Sequence, residues 1–176
     1  SISDLISKGI KPKYYFISFS GSYRHLSKKN ISMIRSALEQ EQKKYNIVLS
    51  GGDTSRSTTL SITITSVGYA NRFPILRKGA KINDDIYITN NLGDSFIGLN
   101  VLKNRIKFSK KVNNYFINKF YLPNLPVKFS RKIHLFANSS IDVSDGLFQD
   151  LKHILSNSNL SSEIFVSDIP ASNHLN

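Results

Sequence analysis

Hydrophobic and polar residues follow patterns that divide the first half of the chain into strands and a helix. Residues 14–20 are aromatic and β-branched, which predicts a strand. Ser27 precedes apolar positions that recur about every 3.6 residues as far as Tyr45, which predicts a capped helix. Two further strands are predicted over residues 46–49 and 58–69. In the later one, apolar and hydroxyl residues alternate, which predicts one buried face and one polar face.

The second half of the chain continues with similar elements. Asp94 is predicted to be the N-cap of a helix in which Gly98 allows close packing. Pro123 and Pro126 mark a loop. The other predicted elements are strands over residues 86–89, 141–144 and 164–166 and helices over residues 108–120 and 146–156.

These elements indicate the fold class and a division of the chain. Mixed strands and helices are typical of α/β or α+β proteins. The 176 residues suffice for one ordinary domain or two small ones. Because the pattern breaks at residues 71–74, we divide the chain into residues 1–74 and 75–176.

Composition narrows the functional classes. The formal net charge of +12 suits an anionic partner. The cations are scattered, however, with no zinc-ligand spacing and no RNA-binding aromatic motif, so a nucleic-acid-binding module is only an alternative and no nucleic acid is expected as partner. The absence of cysteine excludes disulfide and thiolate chemistry and agrees with a cytoplasmic location. No apolar run approaches the ~18 residues of a membrane span, so no membrane partner is expected.

Residues 50–56 carry the strongest local signal for chemistry. The predicted strand at 46–49 runs into Gly51 and Gly52, whose backbone can approach a ligand closely and direct N–H groups at an anion. Asp53 then supplies a carboxylate, the kind of ligand that Mg²⁺ shares with substrate phosphates. The loop on its own is also compatible with an ordinary Gly-Gly-Asp turn.

A second signal lies where residues 141–144 meet the next helix. On a strand, Asp142 and Ser144 face the same way, and Asp145 follows at the corner. Two carboxylates so close repel each other, and a divalent cation would relieve that cost. The alternative is that Asp145 is simply the N-cap of the helix.

Two weaker signals lie outside these segments. Asp4 stands in a short polar and apolar stretch that ends at Gly9, and Arg77 stands beside Gly79 in a cationic turn. Arg77 is suited to pair with a phosphate. Taken alone, Asp4 indicates little, and an ordinary surface turn is the favoured interpretation of the Arg77 segment.

Taken in order, these segments resemble those of the thiamine-monophosphate kinases, a family of the aminoimidazole-ribonucleotide-synthetase-like superfamily. The resemblance extends over essentially the whole chain. It rests on an N-terminal segment, a Gly-Gly-Asp-Thr-Ser-Arg segment, an Arg-Lys-Gly-Ala segment, a Gly-Asp-Ser helix start and an Ile-Asp-Val-Ser-Asp-Gly-Leu segment, which are residues 1–12, 51–56, 77–80, 93–99 and 141–147.

The resemblance implies a two-domain α/β fold of this superfamily, with both domains incomplete in this chain. Residues 1–74 would be the C-terminal part of an N-terminal domain that binds ATP and mediates dimerisation. Residues 75–176 would be the N-terminal part of the C-terminal domain. The sheets of two N-terminal domains would pair to form a homodimer.

The resemblance also implies an activity and its residues. ATP, as phosphoryl donor, would phosphorylate thiamine monophosphate directly to thiamine diphosphate with the help of Mg²⁺, without a covalent enzyme intermediate. The ATP contacts would be Gly52, Asp53, Arg77 and Ser144, and the magnesium ligands would be Asp4, Asp53, Asp142 and Asp145. No residue of this chain is assigned as a catalytic residue.

Departures from the family pattern leave alternatives. The family's Gly-Asp-Asp-Ala and Gly-Gly-Glu-Asp-Tyr segments, which carry further metal and substrate ligands, are not found, and Asn90 replaces an expected glycine. The chain is therefore interpreted as an incomplete copy of such a kinase. The alternatives are another ATP-using member of the superfamily and a non-catalytic remnant of a decaying gene.

Overall fold

Two units make up the chain in the structure, a computed structural model that describes residues 1–175. Unit 1 comprises Ser1–Leu76 and Val127–Asp142, and unit 2 comprises Arg77–Pro126 and the residues from Val143 onward. The segment Ser1–Leu76 ends close to the boundary predicted after residue 74. Residues 127–142, which fall in the second part of the predicted division, group with unit 1 instead. The assignment of the two parts of the chain to larger domains stays a prediction.

Six α-helices, three strands and two short 3₁₀ helices are described. In chain order they are α1 (Ile2–Ser7), β1 (Lys11–Gly21), α2 (Lys28–Tyr45), β2 (Val48–Arg56), β3 (Ser61–Tyr69), α3 (Asp94–Leu102), α4 (Lys110–Tyr121), α5 (Val127–Ser130), the 3₁₀ helix Ile133–Leu135, α6 (Leu147–Ser158) and the 3₁₀ helix Val166–Asp168. No helix within residues 1–175 combines the length and the hydropathy needed to cross a membrane.

The sheet of unit 1 has the strand order β2-β1-β3. Ser27 accepts a hydrogen bond from the N–H of Asn30 at the start of α2, as predicted, and Asn46 ends the helix with a positive φ of 53°. Because α2 carries the chain back along the sheet, β2 pairs parallel to β1, while β3 pairs antiparallel on the other side. The predicted strands at 14–20 and 58–69 are thereby confirmed.

The prediction of a loop at residues 50–56 is wrong, because these residues continue β2. Tyr15 pairs with Leu49 and Phe16 with Gly51, so Ser50 is an extra residue at a bulge. Beyond the bulge, β2 stays paired with β1 as far as Arg56. The backbone pairing with β1 therefore outweighs the turn preference of the two glycines.

The core of unit 1 lies on one face of the central strand. Tyr15 and Ile17 are 3% and 7% exposed, whereas Phe16, on the opposite face, is 42% exposed. The prediction of a buried face on β3 is wrong for the described residues, since Ile62 and Ile64 are 45% and 43% exposed. Ile62 and Ile64 lie on the same face of the sheet as the buried Ile17. They belong to an edge strand, however, and are more exposed than Ile17 on the central strand.

Three polar contacts hold the other segments of unit 1 together. The buried Ser130 hydroxyl donates to the carbonyl of Ile6 at 2.6 Å. The N–H of Ile75 donates to the carbonyl of Lys8, and that of Ser140 to the carbonyl of Leu76. Two of these contacts, those of Ser130 and Ser140, tie residues 127–142 to Ser1–Leu76, in agreement with their grouping in unit 1.

Unit 2 is built around the packing of α3 on α4. Phe116 is fully buried, and a Cβ added at Gly98 would stand only 2.2 Å from the carbonyl oxygen of Phe116. This confirms that Gly98 allows close packing. Asp94 is not the N-cap as predicted, because Gly93 takes that position. The buried Asp94 carboxylate instead accepts hydrogen bonds from the hydroxyls of Tyr115 and Ser172 at 2.8 and 2.6 Å.

The strands predicted in the second half of the chain do not form in the described residues. Residues 86–89 and 141–144 are irregular, and residues 164–166 run into the 3₁₀ helix Val166–Asp168. All three described strands belong to unit 1. A strand requires a neighbour to pair its backbone, and among residues 77–126 and 143–175 none is present. The predicted helices, in contrast, are confirmed as α4 and α6.

Alkaline pH should weaken unit 2 through Tyr115. Burial, and then the hydrogen bond to Asp94, raise the pKa of the Tyr115 phenol above its ordinary value. The protonated phenol therefore stabilises the fold fully below about pH 10, and this contribution is lost as the pH rises through the folded-state pKa. We expect Tyr115→Phe to reduce the fall in unfolding free energy between pH 9 and pH 11, measured by urea denaturation.

The matched control is Tyr87→Phe, because Tyr87 is 81% exposed. It should leave the pH dependence as in the unaltered chain. An equal effect of the two substitutions would show that the Tyr115–Asp94 contact does not couple stability to pH.

Candidate nucleotide and metal site

Gly52 and Asp53 lie side by side on β2, within the sheet. Gly52 pairs with Ile17, and a Cβ added at Gly52 would lie 1.8 Å from the carbonyl oxygen of Ile17. Only glycine lets β2 approach β1 this closely. Asp53, the next residue, points to the other face of the sheet and is exposed. The segment is therefore part of a strand, so the predicted loop and the alternative of an ordinary turn are both wrong. The Asp53 carboxylate is nevertheless accessible.

The face of the sheet around Asp53 is rich in hydroxyl groups. Asp53 stands beside Ser18, which in turn stands beside Thr63. The next row on the same face consists of Ser55, Ser20 and Ser61. No hydrogen bond or ion pair engages the Asp53 side chain within the described residues. The strand thus presents an unpaired carboxylate on a polar, accessible surface.

The other two predicted magnesium ligands of unit 1 lie on α1 and in an irregular segment. Asp4 belongs to α1, and its carboxylate lies 3.6 Å from the amino group of Ser1, with its side chain half exposed. Asp142 is half-buried in the irregular segment that follows Ser140. Asp4 and Asp53 are both accessible to a ligand, and Asp142 is partly so.

Arg77 belongs to unit 2 and is exposed. The N–H groups of Gly79 and Ala80, just after it, both donate to the hydroxyl of Ser158 at the end of α6, at 3.3 and 3.2 Å. The segment that carries Arg77 is therefore fixed to α6 by its backbone, while the guanidinium side chain extends from the surface.

Ser144 and Asp145 lie at the other end of α6, and both are exposed. The N-cap of α6 is Gly146, so the interpretation of Asp145 as the cap is wrong. The cap is provided by Asp150, in the first turn, whose Oδ2 accepts hydrogen bonds from the N–H groups of Ser144, Asp145 and Gly146 at 2.9, 3.0 and 3.1 Å.

Sequence reasoning missed Asp150. The available signal was an acidic residue in the first turn of the predicted helix. Such a residue often reaches back to the free N–H groups of the turn. Asp150 is 3% exposed, which separates it from the accessible Asp145.

The assigned side chains, apart from Gly52 of unit 1, fall into two sets of three. Asp4, Asp53 and Asp142 lie in unit 1, and Arg77, Ser144 and Asp145 lie in unit 2. Carboxylate oxygens are the donors that Mg²⁺ prefers, so the donor type fits. Within residues 1–175, however, no group of three or more carboxylate, histidine or cysteine side chains is close enough to hold a metal ion. The metal assignment therefore stays a prediction.

Comparison with known structures first defines the class of fold. The hydrogenase maturation protein HypE matches over 99% of this chain and 55% of its own length, with a TM-score of 0.76 at 17% identity. Thiamine monophosphate kinase from Aquifex aeolicus matches over 99% of this chain and 59% of its own length, with a TM-score of 0.91 at 29% identity. The fold is that of the aminoimidazole-ribonucleotide-synthetase-like superfamily.

Sequence comparison then identifies the relatives within this class. The thiamine-monophosphate kinase of Buchnera aphidicola subsp. Acyrthosiphon pisum is 38% identical over 98% of this chain and 53% of its own length. The structure of AaThiL complexed with AMPPCP and TMP has a TM-score of 0.92 at 29% identity, over 99% of this chain and 56% of that protein. No protein-family model matches the chain. The chain is a relative of the thiamine-monophosphate kinases and spans about half the length of the curated relatives it matches.

Gly52 and Asp53 should differ in what they contribute to stability. We expect Gly52→Ala to lower the free energy of unfolding by about 2–3 kcal/mol, because the added methyl group collides with the backbone of β1. Asp53→Asn should change it by less than about 0.5 kcal/mol, since the exposed carboxylate has no partner to lose. Urea denaturation followed by circular dichroism measures both.

The two substitutions serve as controls for each other, because they affect neighbouring residues of one strand. A stability loss in Asp53→Asn as large as that in Gly52→Ala would mean that the carboxylate is a structural group. It would then not be free for a ligand.

Proposed function

We propose that this chain serves the ATP-dependent phosphorylation of thiamine monophosphate to thiamine diphosphate. The observation that carries the proposal is the match to AaThiL, whose structure is complexed with AMPPCP and TMP, at a TM-score of 0.92 over 99% of the chain. The chain spans 56% of that protein. HypE, with a TM-score of 0.76 at 17% identity, supports the fold alone.

The proposed reaction moves one phosphoryl group. A phosphate oxygen of thiamine monophosphate forms a bond to the γ-phosphorus of ATP, and the bond from that phosphorus to the β,γ-bridging oxygen breaks, releasing ADP. Both reactants are anions, so binding and orientation against charge repulsion are the main tasks of the protein. The net charge of +12 favours the approach of such reactants.

The residues of this chain suit those tasks. Arg77 is a guanidinium suited to pair with a phosphate, on a segment fixed to α6. The exposed Ser144 offers a hydroxyl. Asp53 and Asp145 are accessible carboxylates, and Mg²⁺, when bound, would supply charge neutralisation. We include Gly52 among the nucleotide contacts, and Asp4 and Asp142 among the magnesium ligands, on the strength of the family resemblance. We place the protein in the cytoplasm on the same basis.

A homodimer formed through the sheet is the second part of the proposal. Phe16 lies on the central strand, flanked by β2 and β3, and is nevertheless 42% exposed. Val48 and Val67, which pair with Tyr14 on the same face, are 47% and 40% exposed. The opposite face of the same strand is covered. An open sheet face with apolar side chains near its centre is suited to pack against a second copy of itself.

Activity tests the proposed reaction. The full reading frame that encodes this chain should form thiamine diphosphate from ATP, Mg²⁺ and thiamine monophosphate, as measured by chromatography with thiochrome fluorescence. We expect Asp53→Asn and Asp142→Asn each to lower kcat/KM by about a hundredfold or more, because each removes charge from the predicted metal site.

Glu39→Gln is the control, since Glu39 is an exposed carboxylate that pairs with Arg35 on the same helix, α2. It should keep the unaltered rate. If the unaltered protein forms no thiamine diphosphate, the proposed reaction is wrong. Unaltered rates in both aspartate variants would contradict the metal assignment alone.

Solution mass tests the dimer. Light scattering after size exclusion should give twice the mass of one chain, and Phe16→Asp should reduce it to that of one chain, because a carboxylate would be buried between the two sheets. Met33→Asp, on α2, alters an apolar side chain that is 63% exposed and lies outside the sheet, so the mass should not change. A single-chain mass for the unaltered protein would contradict the dimer.

A further inference from the structure

Asp150 makes an unusual set of contacts for a side chain inside a helix. One oxygen, Oδ2, accepts hydrogen bonds from the N–H groups of three consecutive residues, Ser144, Asp145 and Gly146, at 2.9–3.1 Å. In return, the N–H of Asp150 donates to the carbonyl of Gly146 at 3.0 Å. The carboxylate is 3% exposed, so water does not compete for it.

Consecutive N–H groups that converge on one point form a concavity that attracts an anion. Here the chain fills that concavity with its own carboxylate. Hydrogen bonds to an ionised acceptor are roughly twice as strong as those between neutral groups. Three of them therefore fix the backbone of residues 144–146 firmly against the first turn of α6.

The fixed backbone has a second consequence for the side chains. Because Asp150 satisfies the N–H groups at the start of α6, neither Ser144 nor Asp145 is needed as a cap, and both side chains remain exposed. Gly146 has a φ of 125°, with nothing within 4 Å of the position a Cβ would take. Glycine is therefore required there by the backbone conformation that Asp150 holds, and not by packing.

We propose that Asp150 is a positioning residue, which acts by holding Ser144 and Asp145 in the conformation that receives the nucleotide and its metal ion. This inference rests on the proposed function, because it assigns those two side chains to a nucleotide site. Asp150 acts through the backbone, because its carboxylate accepts the N–H groups of residues 144–146.

The chain offers a matched control in Asp94. It is a second buried aspartate of unit 2, 4% exposed, and within residues 1–175 its carboxylate accepts hydrogen bonds from two side-chain hydroxyls, those of Tyr115 and Ser172. Asp94→Asn and Asp150→Asn remove the same charge from equally buried places. Only Asp150→Asn changes the group that accepts hydrogen bonds from the N–H groups of residues 144–146.

Two measurements on the unaltered chain and on Asp150→Asn, Asp150→Ala and Asp94→Asn test the proposal. The first is amide hydrogen exchange, resolved by residue with NMR. Exchange at residues 144–146 should be about tenfold faster in Asp150→Asn, which keeps one neutral acceptor, and faster still in Asp150→Ala. Asp94→Asn should leave exchange at these residues unchanged.

The second measurement is the affinity for AMPPCP with Mg²⁺, determined by calorimetry. Asp150→Asn should weaken binding about tenfold relative to Asp94→Asn, and Asp150→Ala should weaken it further. The proposal is overturned if exchange at residues 144–146 does not change in the Asp150 variants, or if Asp94→Asn weakens binding equally. If the unaltered chain binds no AMPPCP while the exchange result holds, the proposed function fails, and the nucleotide role of Asp150 with it.

Discussion

Backbone pairing on both sides of β1 is the constraint on which unit 1 depends. The central strand is hydrogen-bonded to β2 along one edge and to β3 along the other. The contact at Gly52, where β2 comes too close to Ile17 for any side chain, is part of this pairing. Since side chains alternate along a strand, the register that places Gly52 against β1 also turns Asp53 to the open face. The position of the candidate carboxylate thus follows from the packing of the backbone.

Two pairs of aspartates in the chain differ in burial and in what their carboxylates contact. Asp94 and Asp150 are buried, and their carboxylates are saturated by hydrogen bonds from hydroxyl or backbone donors. Asp53 and Asp145 are exposed, and their side chains take no part in holding the fold. Folding therefore accounts for the first pair of carboxylates and leaves the second pair accessible to solvent. Local sequence does not separate the two pairs, because Asp94, Asp145 and Asp150 all stand near helix starts and Asp53 was predicted to follow a strand.

The outcomes of the sequence predictions follow from the range of the interactions involved. The capped helix at Ser27 was predictable because the cap and the 3.6-residue period are local, and so was the packing of Gly98. The extent of β2 was not, because pairing with β1, which lies some thirty residues earlier in the chain, decides it against the local preference of Gly51 and Gly52. Conversely, residues 86–89 have the composition of a strand but no partner strand within the described part of unit 2. The candidate site residues were assigned from the order of several motifs along the chain, whereas Asp150 was missed because its contacts to three backbone N–H groups are visible only in the structure.

Helix α6 fixes a distance as well as two backbone segments. Asp150, in its first turn, holds residues 144–146, and Ser158, at its last residue, holds Gly79 and Ala80. The two anchoring residues are eight positions apart, which corresponds to about 12 Å along a helix. The length of α6 thus sets the distance between the two points at which the segments of Ser144 and Arg77 are anchored. Deletion of a single residue inside it would shorten this spacing by about 1.5 Å and turn one anchor about 100° around the axis. The length of α6 is therefore constrained as strictly as the identity of the side chains at its ends.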